Sequence, residues 1–425
     1  MRQLFYNAKI LTGAHDEPFD GEVATQDGRI VYVGKRAEGE FDSKIDCGKN
    51  LLMSGFCNAH THVAMSLFRG IADDLPLDKW LYDRIFPLES ALTEEDIYWG
   101  SMLQLAEFVR GGITCFADMY FCDNAVYEAA KKANLCLALC GGKNSLSGGD
   151  VLAELEENYN KFSTLSDRVR YFLGVHAEYS CEEKLLEGVA DLAAETGAQT
   201  CIHLSETLKE VGDCTVRHGG LTPPQYLHRL GFFDNGGIAA HCVYCDKDDV
   251  ALLGQCGVTP VINSGSNLKL ASGIAPVYSM LGAGMRPAIG TDGTASNNAA
   301  SMFREMYLYT CLQKESMKDS AAVDARECIA AATENGYRAL GFAGGEIAEG
   351  NFADLVLIDL SQPNLRPLSD ICKNLVYSAD TSDVLLTVAN GKIVYDRGTY
   401  FIGEDLDRIF CECEKRRDRL LRSIK

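Results

Sequence analysis

Long apolar runs are missing from this 425-residue chain. No uncharged stretch approaches the roughly 20 residues that a membrane-spanning helix needs. The opening residues, MRQLFYNAK, lack the apolar core of a secretory signal. A basic excess is missing too: 40 basic against 60 acidic residues leave a formal net charge of -20. That balance argues against nucleic acid or an anionic membrane as partner, because both bind basic footprints. No Gly-x-Gly-x-x-Gly turn follows a strand-like run, which weighs against an open dinucleotide-binding sheet. Cysteine is plentiful, at seventeen, but zinc-finger spacing is not. Cys242 and Cys245 form a Cys-x-x-Cys without a second pair, and Cys115, Cys136, Cys140 and Cys201 sit in apolar runs where reduced cysteine acts as a small hydrophobe. The expectation is a cytoplasmic protein with reduced thiols and a small-molecule partner; a homo-oligomer is left open.

Both ends of the chain read as β structure. The first fifty residues alternate short strand-like runs with turn pairs such as Asp27-Gly28, and a similar pattern returns in 353–359 and 384–395. There Asn390-Gly391, between two apolar runs, predicts a two-residue hairpin. Residues 1–52 and 345–401 are therefore expected to build one small β-sandwich domain, followed by a charged, solvated helix over 402–425. Strand candidates at 51–56, 113–118, 135–140, 170–175, 200–203, 237–241, 258–262 and 286–290 alternate with helical segments such as 94–110 and 321–340. Eight strands in somewhat under 300 residues predict the α/β class, with a TIM-type (β/α)8 barrel over 53–344.

The eight histidines are not scattered. His60, His62, His176, His203 and His241 all fall at the carboxyl ends of strand candidates, and the eighth candidate runs into Thr291-Asp292-Gly293. Those ends form the mouth where barrel enzymes keep their chemistry. His60 and His62, two residues apart, point to one side of a strand. Three imidazoles and one carboxylate around a divalent ion make a common catalytic zinc arrangement, so His60, His62, His203 and Asp292 are the predicted ligands. Glu206, three residues past His203, reaches the same mouth as a general acid/base that need not touch the metal. The end of the fourth strand, Gly174-Val175-His176-Ala177, offers no lysine to bridge two metals. One ion per subunit is expected, zinc, with ferrous iron as the alternative.

The order His-Thr-His, His-Leu-Ser-Glu, His-Cys-Val and Gly-Thr-Asp-Gly resembles the amidohydrolase superfamily, and within it the 5-methylthioadenosine/S-adenosylhomocysteine deaminase branch. Residues 69–77, 80–81, 86–89, 266–273 and 291–298 extend the likeness almost end to end, although related aminohydrolases and chlorohydrolases share several of these motifs. The resemblance implies zinc-dependent deamination of an adenine nucleoside: methylthioadenosine, S-adenosylhomocysteine, adenosine or 5'-deoxyadenosine. It gives Asp292 a second role as proton acceptor, Glu206 the delivery of a proton to the purine ring, and His241 the positioning of the nucleophile. Glu89 and His176 become substrate contacts, with Glu89 toward the ribose hydroxyls. Two departures bear on specificity. The loop 141–149 carries Lys143 as its single cation where an arginine is usual, and Asn263-Ser264 replaces Asn-Pro. Lysine does not offer arginine's fork to a carboxylate, so no preference for the homocysteine tail is implied. The alternatives are another heterocycle (guanine, a pterin, a chlorotriazine) at the same site, and, more remotely, a non-catalytic scaffold.

Overall fold

The computed structural model describes residues 1–75 and 77–423. Pro76 of the 69–77 motif and the last two residues of the expected C-terminal helix fall outside them. Eight parallel strand positions form the barrel: Phe56–Thr61, Ile113–Asp118, Cys136–Leu139, a fourth in two pieces (Val169–Tyr171 and Leu173–Ala177), Thr200–Leu204, Gly237–His241, Val258–Ile262 and Ala288–Ile289. The break at Phe172 divides the pairing into two arcs, since the first piece pairs with the third strand and the second with the fifth. Phe172 nonetheless donates its N–H to the Leu139 carbonyl at 2.8 Å, and Leu173 donates to Gln199 at 3.0 Å. The opposite seam closes where the Asp292 N–H donates to the His60 carbonyl at 3.0 Å. A methyl group at Gly290 would lie 2.8 Å from the His60 nitrogen, so only glycine lets the first and last strands approach this closely. Cys57, Cys115, Cys136, Cys140 and Cys201 share one buried cluster with several alanines and with larger side chains such as Phe172, Ile238 and Tyr337. All seventeen cysteines are free thiols.

The β domain draws on both chain ends. Its strands pair in the order Thr399–Tyr400, Lys392–Asp396, Val384–Ala389, Leu355–Ile358, Leu51–Ser54, Arg2–Ile10, Phe19–Gln26, Arg29–Gly34, with Ser43–Asp46 beside Arg2–Ile10. Asn390 and Gly391, at φ 51° and 70°, turn the expected hairpin. Asp354 fastens this domain to the barrel: Arg168 donates to both carboxylate oxygens at 3.1 and 3.2 Å, and the Tyr337 hydroxyl donates at 3.0 Å.

Three expectations change. The run 51–56 is not the first barrel strand: Leu51–Ser54 pairs with the β domain, Gly55 makes the break, and Phe56–Thr61 enters the barrel. An uninterrupted apolar run hides such a handover. The helix expected over 321–340 is two, Ala325–Ala332 and Glu334–Ala339, separated at Thr333 with φ -132° and ψ -90°. The C-terminal helix, Leu406–Ser423, is not simply solvated. Ile409, Cys413 and Leu420 are buried at helical spacing, and Arg416 and Arg419 pair with Asp96 at the start of helix Glu94–Arg110.

Candidate metal centre and substrate cavity

His60 lies inside the first barrel strand and His62 one residue past its end, so both rings emerge on the same side with centroids 4.9 Å apart. The fifth strand contributes His203 and the turn after the eighth contributes Asp292. His203 Nε2 stands 3.2 Å from His60 Nε2 and 3.3 Å from His62 Nε2; Asp292 Oδ1 is 3.1 Å from His62 Nε2 and 3.6 Å from His60 Nε2. Donors about 2.0–2.1 Å from a tetrahedral zinc lie roughly 3.3 Å from one another, so this spacing fits a first-row divalent ion. His241 is close as well: His60, His203 and His241 form a second trio whose nitrogens lie within 4.8 Å of each other.

The hydrogen bonds behind the rings reinforce that fit. His62 Nδ1 donates to the Met119 carbonyl at 2.5 Å and His203 Nδ1 to the His176 carbonyl at 2.7 Å. Each ring's one remaining lone pair, on Nε2, is thereby turned inward beside a carboxylate. Lone pairs converging on one point repel unless a cation sits between them. Burial, only partly offset by Asp292, pushes His60 down to about 4, and burial with the neighbouring rings holds His203 well below the usual imidazole range. Burial would raise Asp292, but His60 and His62 hold it well below the usual carboxylate range. The pairing with Asp292 outweighs burial at His62 and lifts it to about 9, so the carboxylate favours positive charge at this point. His241 Nδ1 donates to Asn267 Oδ1 at 2.8 Å, leaving Nε2 3.8 Å from Glu206 Oε2. The other Glu206 oxygen accepts from the Ser272 hydroxyl at 3.0 Å.

Several supporting residues escaped the sequence reading. Asn58, two residues before His60 on the same strand face, exchanges hydrogen bonds with Thr291 at 2.7 and 2.8 Å and locks the seam. Asp118, at the end of the second strand, accepts the Val63 N–H at 2.6 Å and fixes the chain just past His62; burial pushes its carboxyl up to about 6. Ser266 and Ser296 set their hydroxyls on Asp292 Oδ2 at 2.5 and 2.9 Å, so both carboxylate oxygens are engaged. Glu210 accepts the N–H groups of Ser205 and Glu206 at 2.7 and 2.8 Å. The only signals in the sequence were polar residues at strand ends and beside the histidines. Backbone strain gathers here too: Ser205, His241, Cys242 and Asp292 have φ of 50°, 70°, 48° and 61° without being glycine, a concentration typical of functional sites.

The ring opens into a cavity of about 790 Å³ walled by Trp80, Phe86, Tyr120, Phe121 and Tyr179. Glu89 lines it, and burial pushes its carboxyl up to about 7 against the pull of Tyr120 and His62. His176 lines it as well, with Nδ1 2.9 Å from the Ser180 hydroxyl and a ring that burial pushes down to about 4. Lys143 borders the cavity, but its ammonium is 2.6 Å from Glu154 Oε1. A second hollow of about 760 Å³ beside helix Met302–Met317 contains no histidine, so donor chemistry rather than volume picks out the site. Glu178, Cys214 and His218 also stand close enough to hold an ion. There the Arg217 guanidinium already donates to both Glu178 oxygens, at 2.5 and 3.4 Å, and supplies the carboxylate with its positive partner.

The amidohydrolase family profile matches residues 51–394. The 5-methylthioadenosine/S-adenosylhomocysteine deaminase of Caldanaerobacter subterraneus is 38% identical, over 99% of each chain. The 5'-deoxyadenosine deaminase of Methanosarcina barkeri is 39% identical, over 92% of each. The crystal structure of an adenosine deaminase from Xanthomonas campestris with bound zinc superposes with a TM-score of 0.93 at 31% identity, covering 99% of this chain and 98% of that one.

Proposed function

The chain belongs to the amidohydrolase family, and we propose that it is a zinc-dependent hydrolase that deaminates adenine nucleosides to inosine-type products and ammonia. The observation that carries this reading is the ring itself: imidazole nitrogens and a carboxylate 3.1–3.6 Å apart, at the floor of an aromatic cavity, beside Glu206. His60, His62, His203 and Asp292 would hold one divalent ion per chain. Such an ion, when bound, lowers the pKa of a coordinated water from about 15.7 to about 7.

The chain's own groups do the rest. Glu206, presented from the turn past the fifth strand, carries a proton to the purine ring nitrogen and so makes C6 electrophilic. Asp292 takes a proton from the attacking water and passes it toward the leaving amine. His241 orients the attacking oxygen; its Nε2 faces Glu206 across 3.8 Å, which is why it is assigned to the reaction rather than to the metal. Glu89 accepts hydrogen bonds from the ribose hydroxyls, and His176 meets the base from the fourth strand. The aromatic walls exclude water from the base and accept a 5' group that is small or a thioether.

The test is a panel of adenine nucleosides, free adenine, guanine, pterins and chlorotriazines, scored for ammonia or chloride release. Ammonia is expected from methylthioadenosine, 5'-deoxyadenosine and adenosine, with little from free adenine, which lacks the ribose. Turnover of a non-ribosyl heterocycle alone would discard the nucleoside reading and leave the hydrolytic metal site.

A further inference from the structure

Glu206 is delivered to the cavity by a turn that its own residues do not favour. The chain leaves the fifth strand at Leu204, and Ser205 follows in the left-handed region, at φ 50°. A non-glycine residue is strained there and persists only where its surroundings enforce the conformation. The turn also aims the N–H groups of two consecutive residues, Ser205 and Glu206, at one point, an arrangement that collects an anion. That anion is the chain's own. Glu210, in the first turn of helix Leu208–Arg217, reaches back with Oε1 2.7 Å from the Ser205 nitrogen and Oε2 2.8 Å from the Glu206 nitrogen.

A simple helix cap does not account for this. The capping residue is Thr207, whose hydroxyl accepts the Glu210 N–H at 3.1 Å. In a capping box the third helical residue would return the bond to the N–H of Thr207 itself. Glu210 instead passes it by and holds the two residues before it. Glu210 as a whole is only 5% exposed, and its carboxylate lies close enough to the Glu206 charge to feel it; burial and that charge push it up to about 7. A carboxylate placed there for stability alone would be better left in water.

We propose that Glu210 is a positioning residue for Glu206: it clamps the strained turn so that the Glu206 carboxylate arrives at the cavity floor with its backbone already fixed. Ser272, on Glu206 Oε1 at 3.0 Å, restrains the other end. The assignment rests on Glu206 being the proton carrier. Glu210 borders the cavity but is assigned to act through Glu206 rather than on the reacting atoms.

Steady-state kinetics on the metal-loaded, full-length protein test it. Glu210→Gln keeps the side chain's shape but sets an amide N–H against one of the two backbone donors. A displacement of under an ångström at a reacting group costs on the order of 10–100-fold in turnover, so kcat should fall by about that factor, with KM within about threefold and metal content unchanged. Glu206→Gln in the same assay keeps the two claims apart. Near-normal turnover in Glu206→Gln removes the proton-carrier role and the clamp's purpose with it. A crippled Glu206→Gln beside a Glu210→Gln of wild-type kcat overturns the clamp alone. If Glu210→Gln does not accumulate as folded protein, Glu210→Asp replaces it, keeping the charge but withdrawing the carboxylate by one methylene. Reduced kcat at full metal content then supports the clamp; wild-type kcat, or a loss that tracks metal content, overturns it.

Discussion

The donor ring and the outer wall face each other across one cavity but are held by different means. On the ring side, His60, His62, His203 and Asp292 are no more than 9% exposed, and two of the imidazoles are anchored through Nδ1 to backbone carbonyls. On the wall side, Tyr82 is 58% and Leu146 90% exposed. There Glu89 is carried by two short helical pieces joined through a π-helical turn, Leu81–Ile85, a local irregularity often found at functional sites. Chemistry that tolerates little displacement sits on barrel strands, and the surface that meets the variable part of a substrate sits on loops. Substitutions in the ring should abolish turnover, and substitutions in the wall should redirect it.

The largest effect is expected from His60→Ala, which removes the donor common to both close trios. Metal content should fall from about one ion per chain to near zero and turnover by roughly a thousandfold or more. Elemental analysis finding the ion retained would remove the central assignment, and two ions in the wild type would overturn the single-ion proposal. Glu206→Gln comes next. Glutamine keeps the shape but cannot shuttle a proton, so a loss of about a hundredfold or more in kcat is expected in a fully metallated protein.

Wall substitutions test the other side of the comparison. The ammonium of Lys143 is spoken for by Glu154, eleven residues on in helix Val151–Phe162. S-adenosylhomocysteine should therefore not be strongly preferred over methylthioadenosine. Glu154→Gln frees the ammonium for a carboxylate tail and should raise the kcat/KM ratio of those two substrates by roughly three- to tenfold. An unchanged ratio would mean that Lys143 does not reach the tail at all. Because Glu154 is not among the residues lining the cavity, methylthioadenosine turnover should stay near wild type.

The same contrast governs how much could be read from the chain. The barrel, the β domain from both ends and the ring of histidines were legible because strand ends repeat in sequence, and side chains two residues apart must share a face. What failed was whatever depends on a partner elsewhere. Leu51–Ser54 and Phe56–Thr61 read as one apolar run because only their neighbours assign them to different sheets. Thr207-Leu208-Lys209-Glu210 carries the spacing of an ordinary helix cap, and nothing in the sequence says that the glutamate bypasses the cap. The Lys143–Glu154 pair crosses a loop whose path no periodicity reports. The buried face of the C-terminal helix was readable in the spacing of Ile409, Cys413 and Leu420, but its many charges masked it.

The smallest effect concerns Asp123, behind the wall near Lys143. Its Oδ2 accepts from Asn158 at 2.9 Å and from the Tyr171 hydroxyl at 3.1 Å. Burial pushes this carboxyl up to about 7 despite the nearby Lys143 charge, whereas in the unfolded chain it would titrate near 3.9. A folded pKa above the unfolded one means that the protonated group favours the fold. That contribution is fully present below pH 4 and disappears as the pH rises through 7. Asp123→Asn keeps an acceptor for both donors and removes the titration. Relative to wild type, the variant should gain Tm between pH 5 and pH 7 and level off above, by about three degrees in a chain of this size. Thermal unfolding at fixed metal loading across that range reads the difference directly. A difference that stays flat with pH would show that Asp123 is ionised throughout and that Lys143 satisfies it as well as Glu154. The ammonium would then be more firmly withheld from substrate than its contact with Glu154 alone implies, and Glu154→Gln should fail to release it.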